Sequence, residues 1–363
     1  MELSHPSLPH PSSFHPSINI YIWMFRSILS PLRTITSFSS FSSFSSFSSS
    51  TTTAIFNTHT ILTHKPLRNF STKPWFSDIF DISKVPRYKP CTLSPTMQSY
   101  TKHFPSESEP LVSLSFNGES SIFILTMLGN ETPDNRLTHK FIGEALLPAI
   151  AHVEHQWDEM LSSGQSDQGA ALVTTAGTSD SAKIFSNGLD LEKAIADPLF
   201  FDTHLNELCE KLLTLPIPAI AAVNGHAFAA GFGLACAHDY RIMNAKRGYM
   251  CMNEIDFGAP LPHGLQMTIA SKISDQKTMR KVVLEGHRFS AEEAFQAGFV
   301  DGLADSPKET LEKALQLAEK LKGKAKMNAW GTNKEVIYAN AVKAVRMKHD
   351  EATRLLYAPR AKM

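Results

Sequence analysis

The chain has 363 residues, 42% of them hydrophobic, with 35 basic residues set against 35 acidic ones. That length holds either two average domains or one large α/β domain behind a non-globular segment, and the composition favours the second. Zero formal net charge argues against nucleic acid or an anionic membrane surface as the main partner, and no uninterrupted apolar stretch reaches the length of a membrane span.

Cys91, Cys209, Cys236 and Cys251 show no C-x-x-C spacing, and three of them sit in apolar runs, so they read as reduced, buried thiols. The 15 histidines are scattered without the regular spacing of a metal site.

Residues 1–96 are rich in Ser, Thr, Phe and Pro and include SFSSFSSFSSFSSS, which has no core-forming periodicity, so this segment is expected not to fold. No acid lies between Glu2 and Asp78, while Arg26, Arg33, Lys65, Arg68 and Lys73 supply positive charge. Two readings stand for the segment: a mitochondrial presequence, or translated leader ahead of a working start at Met97.

At Leu111 the pattern changes. LVSLSF and SIFILTML flank Asn117-Gly118, which predicts a hairpin and the start of the folded domain. A helical pattern over 138–161 and the strand-like AALVTTAG give strand-helix-strand order, hence α/β architecture. Phe185 to Gly188 then reads as a turn into a helix beginning at Leu189, and a second helical stretch over 201–215 ends at PIP.

The following stretch organises the chain. AIAAVNG reads as a central strand, small residues at Ala229, Ala230 and Gly231 make a second turn, and a helix-like run follows. Two strand-turn-helix units therefore present backbone N–H groups at helix starts, where two donors could cradle one oxyanion. Glu254, a lone carboxylate in apolar surroundings about twenty residues on, supplies a candidate general base. After it the chain reads as mostly helical, over 264–272, 274–284, from a capping box at Ser290, over 307–322 and over 329–356.

Other polar residues read as structural. Asp239 is expected as a buried partner of a base or backbone N–H, Asp190 as a helix cap, and His226 and His238 as cap or core residues without a Ser or Cys partner.

PDNRLT at Pro133, KIFSNGLDL at Lys183, AAVNGHAFAAGFGLACAHDYRIM at Ala221, RGYMCMNEIDFG at Arg247 and EGHRFSAEEAFQAGFVD at Glu285 together resemble the crotonase superfamily of enoyl-CoA hydratases and isomerases, over 111–348. The resemblance implies a spiral of ββα units at 97–328, closed by a helical segment at 329–363, and assembly as a homotrimer or dimer of trimers. It implies a fatty acyl-CoA substrate whose thioester oxygen is held by the N–H groups of Leu189 and Ala230, with Ser186, Asn187, Gly188 and Gly231 lining the substrate. Neither a metal nor a redox cofactor is implied.

Hydratases of the superfamily carry two glutamates, and Gly233 stands at the first of those positions while Glu254 stands at the second. The departure is similar to the Δ3,Δ2-enoyl-CoA isomerases of β-oxidation, which use one glutamate. Hydration, thioester hydrolysis and non-catalytic acyl-CoA binding remain the alternatives. Ala361-Lys362-Met363 has the form of a peroxisomal address, and it competes with the mitochondrial matrix reading of the N-terminal segment.

Overall fold

The computed structural model of the chain describes residues 97–350. The unfolded or targeting segment read at 1–96, the end of the last helical stretch and the Ala361-Lys362-Met363 terminus lie outside the described residues.

The sequence-predicted hairpin is β2 (Val112–Asn117) against β3 (Ile122–Met127), but a strand precedes it: β1 (Tyr100–Phe104) pairs antiparallel with β2, so the fold begins before Leu111. The hairpin loop is longer than a two-residue Asn-Gly turn. Asn117 Oδ1 accepts the N–H groups of Glu119 and Ser120, and the positive φ of 54° falls on Ser121. A π-helical turn (Phe141–Leu146) runs into α1 (Leu147–Ser162), which buries Ile150, Val153 and Trp157 on one face at helical spacing.

Next come β4 (Ala171–Thr175), β5 (Ile184–Ser186), α2 (Leu191–Ala196), a second π-helical turn (Phe201–Asn206) and α3 (Glu207–Thr214). The organising stretch supplies β6 (Ala219–Val223), β7 (His226–Phe228) and α4 (Ala230–Ala237). The helix stops there, and His238 and Asp239 lead into β8 (Tyr240–Asn244) and then β9 (Tyr249–Cys251). The helices α5 (His263–Ala270), α6 (Gln276–Leu284), α7 (Ala291–Gln296) and α8 (Pro307–Lys322) follow, with two short strands among them, β10 (Phe289–Ser290) and β11 (Gly302–Ala304). The last helical stretch is two helices, α9 (Ala329–Ile337) and α10 (Ala339–Arg346), broken at Tyr338.

Seven strands form one sheet in the order β1-β2-β3-β4-β6-β8-β11, parallel from β3 onward. Its central strands are buried on both faces, which is why ALVTT and AIAAV read as continuous apolar runs. Alternation divides them between two cores. Ala171, Val173, Ile220 and Ala222 meet Ala314 and Ala318 of α8, whereas Leu172, Ala219, Ala221 and Val223 face the larger core built on α1, α3 and α4. At the first turn of α8, Ser306 accepts the Glu309 N–H, and Pro307 fits where no intrahelical donor is needed.

A second sheet of four short strands runs β10-β9-β7-β5, with β5, β7 and β9 parallel.

Candidate active site

The small sheet brings the candidate residues together. Because β5, β7 and β9 are parallel neighbours, the three segments that leave their carboxyl ends emerge at one edge. These are Asn187-Gly188-Leu189 after β5, Ala229-Ala230 after β7, and Met252-Asn253-Glu254 after β9. Carboxyl ends of parallel strands are where α/β folds place their ligands, since helices begin there with free N–H groups.

The first two segments touch. A Cβ built on Gly188 would stand 2.7 Å from the Ala229 Cβ and 3.1 Å from the Ala230 nitrogen, and Gly188 has φ +81°, so both sterics and backbone conformation demand glycine. The third is tied to the second by the Ala229 N–H, which donates to the Cys251 carbonyl at 2.8 Å. Ala229 itself holds φ 53° and ψ −130°, a conformation that glycine adopts freely and alanine only under strain.

That strained residue starts α4. The N–H groups of Phe232 and Gly233 return to the Ala229 carbonyl, which leaves those of Ala230 and Gly231 at the open, positive end of a helix whose eight residues are all buried.

Neighbouring residues brace the turn after β5. The buried Ser186 hydroxyl donates to the Asn135 carbonyl at 2.9 Å and lies 3.4 Å from the Gly188 N–H. Asn187 donates through its N–H and through Nδ2 to the backbone and carboxylate of Asp134, each at 3.0 Å. Leu137 N–H reaches the Gly188 carbonyl at 2.8 Å, and a Cβ on Gly231 would meet the Ser186 carbonyl at 2.2 Å. Ser186 and Gly231 are therefore packed into the wall of the turn, and Gly188 and Asn187 fix its course. The bracing role of Asp134, Asn135 and Leu137 was not assigned from sequence, although PDNRLT stood out there as a motif.

Glu254 opens a 3₁₀ turn (Glu254–Phe257) and is 9% exposed. Burial pushes its carboxyl up to about 7, against a small opposing pull from its own backbone, and Oε2 has no hydrogen-bond partner among the described residues. A buried carboxyl of that affinity with one oxygen unpaired is suited to taking up and returning a proton near neutrality. Among the described residues no three His, Cys, Asp or Glu side chains cluster as a metal site would require.

The residues read as structural have partners of their own, and Asp190 directly follows Leu189. Asp239 pairs with Lys334 at 3.1 Å and accepts the Ala219 N–H at 2.9 Å. His238 is buried between the Leu234 carbonyl and the Thr174 hydroxyl, and desolvation lowers it to about 4. His226 lies on the small sheet, where its ring stacks on Tyr249. Asp190 differs from expectation: it holds the N-cap position of α2, yet its carboxylate makes no cap bond and instead pairs with Lys193 at 2.8 Å. Three thiols, Cys209, Cys236 and Cys251, are free and buried, and burial raises Cys209 to about 12.

A sequence profile described as enoyl-CoA hydratase/isomerase matches residues 158–361. The chain is 33% identical over 213 residues to the peroxisomal enoyl-CoA delta isomerase 2 of Arabidopsis thaliana, covering 56% of this chain and 82% of the relative. It is 31% identical over 211 residues to enoyl-CoA delta isomerase 3 of the same plant, with the same coverage. Among solved structures, an enoyl-CoA hydratase from Mycobacterium marinum superposes with a TM-score of 0.51 at 24% identity, covering 66% of this chain and 96% of that one.

Proposed function

Because the chain belongs to the enoyl-CoA hydratase/isomerase family of the crotonase superfamily, we propose that it is a Δ3,Δ2-enoyl-CoA isomerase, serving the β-oxidation of unsaturated fatty acids. At the coarser level it is a crotonase-type enzyme, with the α/β fold of that superfamily. The observation that carries the finer reading is Glu254, buried at the shared strand edge while glycine occupies position 233.

In the proposed reaction the Glu254 carboxylate removes a proton from C2 of a 3-enoyl-CoA. The C2–H electron pair forms a C1=C2 bond as the thioester C=O π electrons move onto oxygen. When the C=O bond re-forms, the C1=C2 pair moves to C2=C3, the C3=C4 π electrons take up the same proton at C4 from Glu254, and the product is a trans-2-enoyl-CoA. The intermediate is a dienolate, whose thioester oxygen accepts from the N–H groups of Leu189 and Ala230. Ser186, Asn187, Gly188 and Gly231 hold those two donors in register. The proton leaves and returns through one carboxyl, so the proposal assigns no cofactor.

Purified protein should convert 3-hexenoyl-CoA to its 2-enoyl isomer, and Glu254→Gln should slow that by about 10²- to 10⁴-fold, the usual contribution of a general base. Equal rates for the two proteins would sink the role of Glu254. Release of 3-hydroxyacyl-CoA or free CoA as the main product would put hydration or thioester hydrolysis in its place, and binding without turnover would leave an acyl-CoA-binding subunit. We also propose a homotrimer or a dimer of trimers, and a peroxisomal location supported by Ala361-Lys362-Met363 and by the named location of the Arabidopsis relative. A fluorescent tag that blocks the C-terminus should abolish peroxisomal import, whereas import into mitochondria would favour the N-terminal address.

A further inference from the structure

The product of the proposed isomerisation creates a problem for the site. A trans-2-enoyl thioester is open to water addition, in which the water oxygen bonds C3, a proton arrives at C2, and the C2=C3 bond becomes single with every atom of the water retained. Glu254 is basic enough to activate such a water. An enzyme that stops at the isomer must keep water away from C3.

One helix contact bears on this. Gly233 lies one turn along α4 from Ala230, and helix side chains lean toward the N-terminus, so a side chain at 233 would cover the turn that begins at Ala230. That space is already filled: a Cβ on Gly233 would stand 2.1 Å from Leu265 Cδ1. Leu265 belongs to α5 and is 1% exposed. Its helix is closely packed next to it as well: a Cβ on the adjacent Gly264 would meet Asn206 Oδ1 at 2.4 Å and Val345 Cγ1 at 3.2 Å. The chain from Glu254 to α5 is short and stiffened by Pro260 and Pro262, and the Ala259 N–H returns to the Glu254 carbonyl at 3.0 Å.

We infer that Leu265 is a specificity-determining residue: its methyl group fills the place beside the Ala230 turn where a polar side chain or an ordered water would sit, and so holds the reaction to proton transfer. A buried water needs two to four polar partners, and this wall offers a hydrocarbon branch against a glycine. The inference rests on the isomerase reading, since it concerns how that reaction stops.

The test is the ratio of 3-hydroxyacyl-CoA to 2-enoyl-CoA formed from 3-hexenoyl-CoA, a quantity independent of how much protein is folded. Leu265→Ala should raise the ratio at least tenfold and the milder Leu265→Val by less. As a steric control, Gly233→Ala should lower the melting temperature in the Leu265 background and leave it unchanged in the Leu265→Ala background. A ratio that neither Leu265 variant moves, in a wild type that isomerises, overturns this inference alone, as does a Gly233→Ala penalty that persists without the leucine. A wild type that does not isomerise overturns the parent reading instead.

Discussion

A carboxyl whose burial outweighs its hydrogen bonding binds its proton more tightly folded than unfolded, and in Glu254 this links rate to stability. Its folded value of about 7 stands above the ordinary 4.5. Below about pH 4.5 both states are protonated and no cost arises; between 4.5 and 7 the folded chain keeps a proton that the unfolded chain has lost, so stability falls as pH rises; above 7 the whole cost, about 3 kcal/mol, is in place. Glu254→Gln is neutral throughout and escapes it. At pH 8 the variant should therefore be more stable than wild type in chemical denaturation, with the difference closing toward pH 4.5. Activity runs the other way: only ionised Glu254 accepts the C2 proton, so kcat/KM should rise through about pH 7 and level off above it. A wild-type profile flat from pH 5 to 9 would separate Glu254 from the chemistry.

The turn elements carry the other half of the proposed site. Gly188→Ala would place a methyl 2.7 Å from the Ala229 Cβ and 3.1 Å from the Ala230 nitrogen, on a backbone with φ +81°. The expected result is a fall in kcat of about 10²- to 10³-fold, the usual cost of one misplaced oxyanion donor. Ala229→Gly tests the same turn from the opposite side. Relief of the strain at φ 53° should leave stability equal or higher by about 1 kcal/mol, read in the same denaturation experiment. These turns also explain what the sequence reveals and what it hides. Long periodic elements such as β3, α1 and α8 were legible because each repeats its pattern over several turns or pleats. The small sheet was not, since β5, β7, β9 and β10 span only two or three residues, too few for any period to register. Polar YTKHF concealed β1, and β8 was absorbed into the apolar run after α4. Glu254 could be found as a lone acid in a motif, but Leu265 could not, because its part depends on a contact between two helices.

At the scale of the molecule, the proposed homotrimer makes a claim about surface. The turn that begins with Glu254 exposes Ile255 and Phe257 at 47% and 53%, and Leu284 at the end of α6 is 63% exposed. Ile255 Cγ2 and both Asp256 carboxylate oxygens lie 3.3 Å from where a Cβ on Gly286 would stand, so the turn meets the segment after α6 beside the site, in a face that mixes exposed apolar side chains with the acids Asp256 and Glu285. A ring of three needs two different surfaces per subunit, each burying about 800 Å² in a stable contact, and three exposed large apolar side chains on a chain of zero net charge supply a candidate for one of them. If that face closes the ring, Phe257→Asp with Leu284→Asp should convert a trimer to a monomer in sedimentation at micromolar concentration. The same face carries the Glu254 turn, so the monomer should also lose activity beyond its folded fraction, and wild-type specific activity should fall on dilution. A double variant that still sediments as a trimer would place the contact elsewhere, while a wild-type monomer with full activity would show that the Glu254 turn holds its geometry without a second copy.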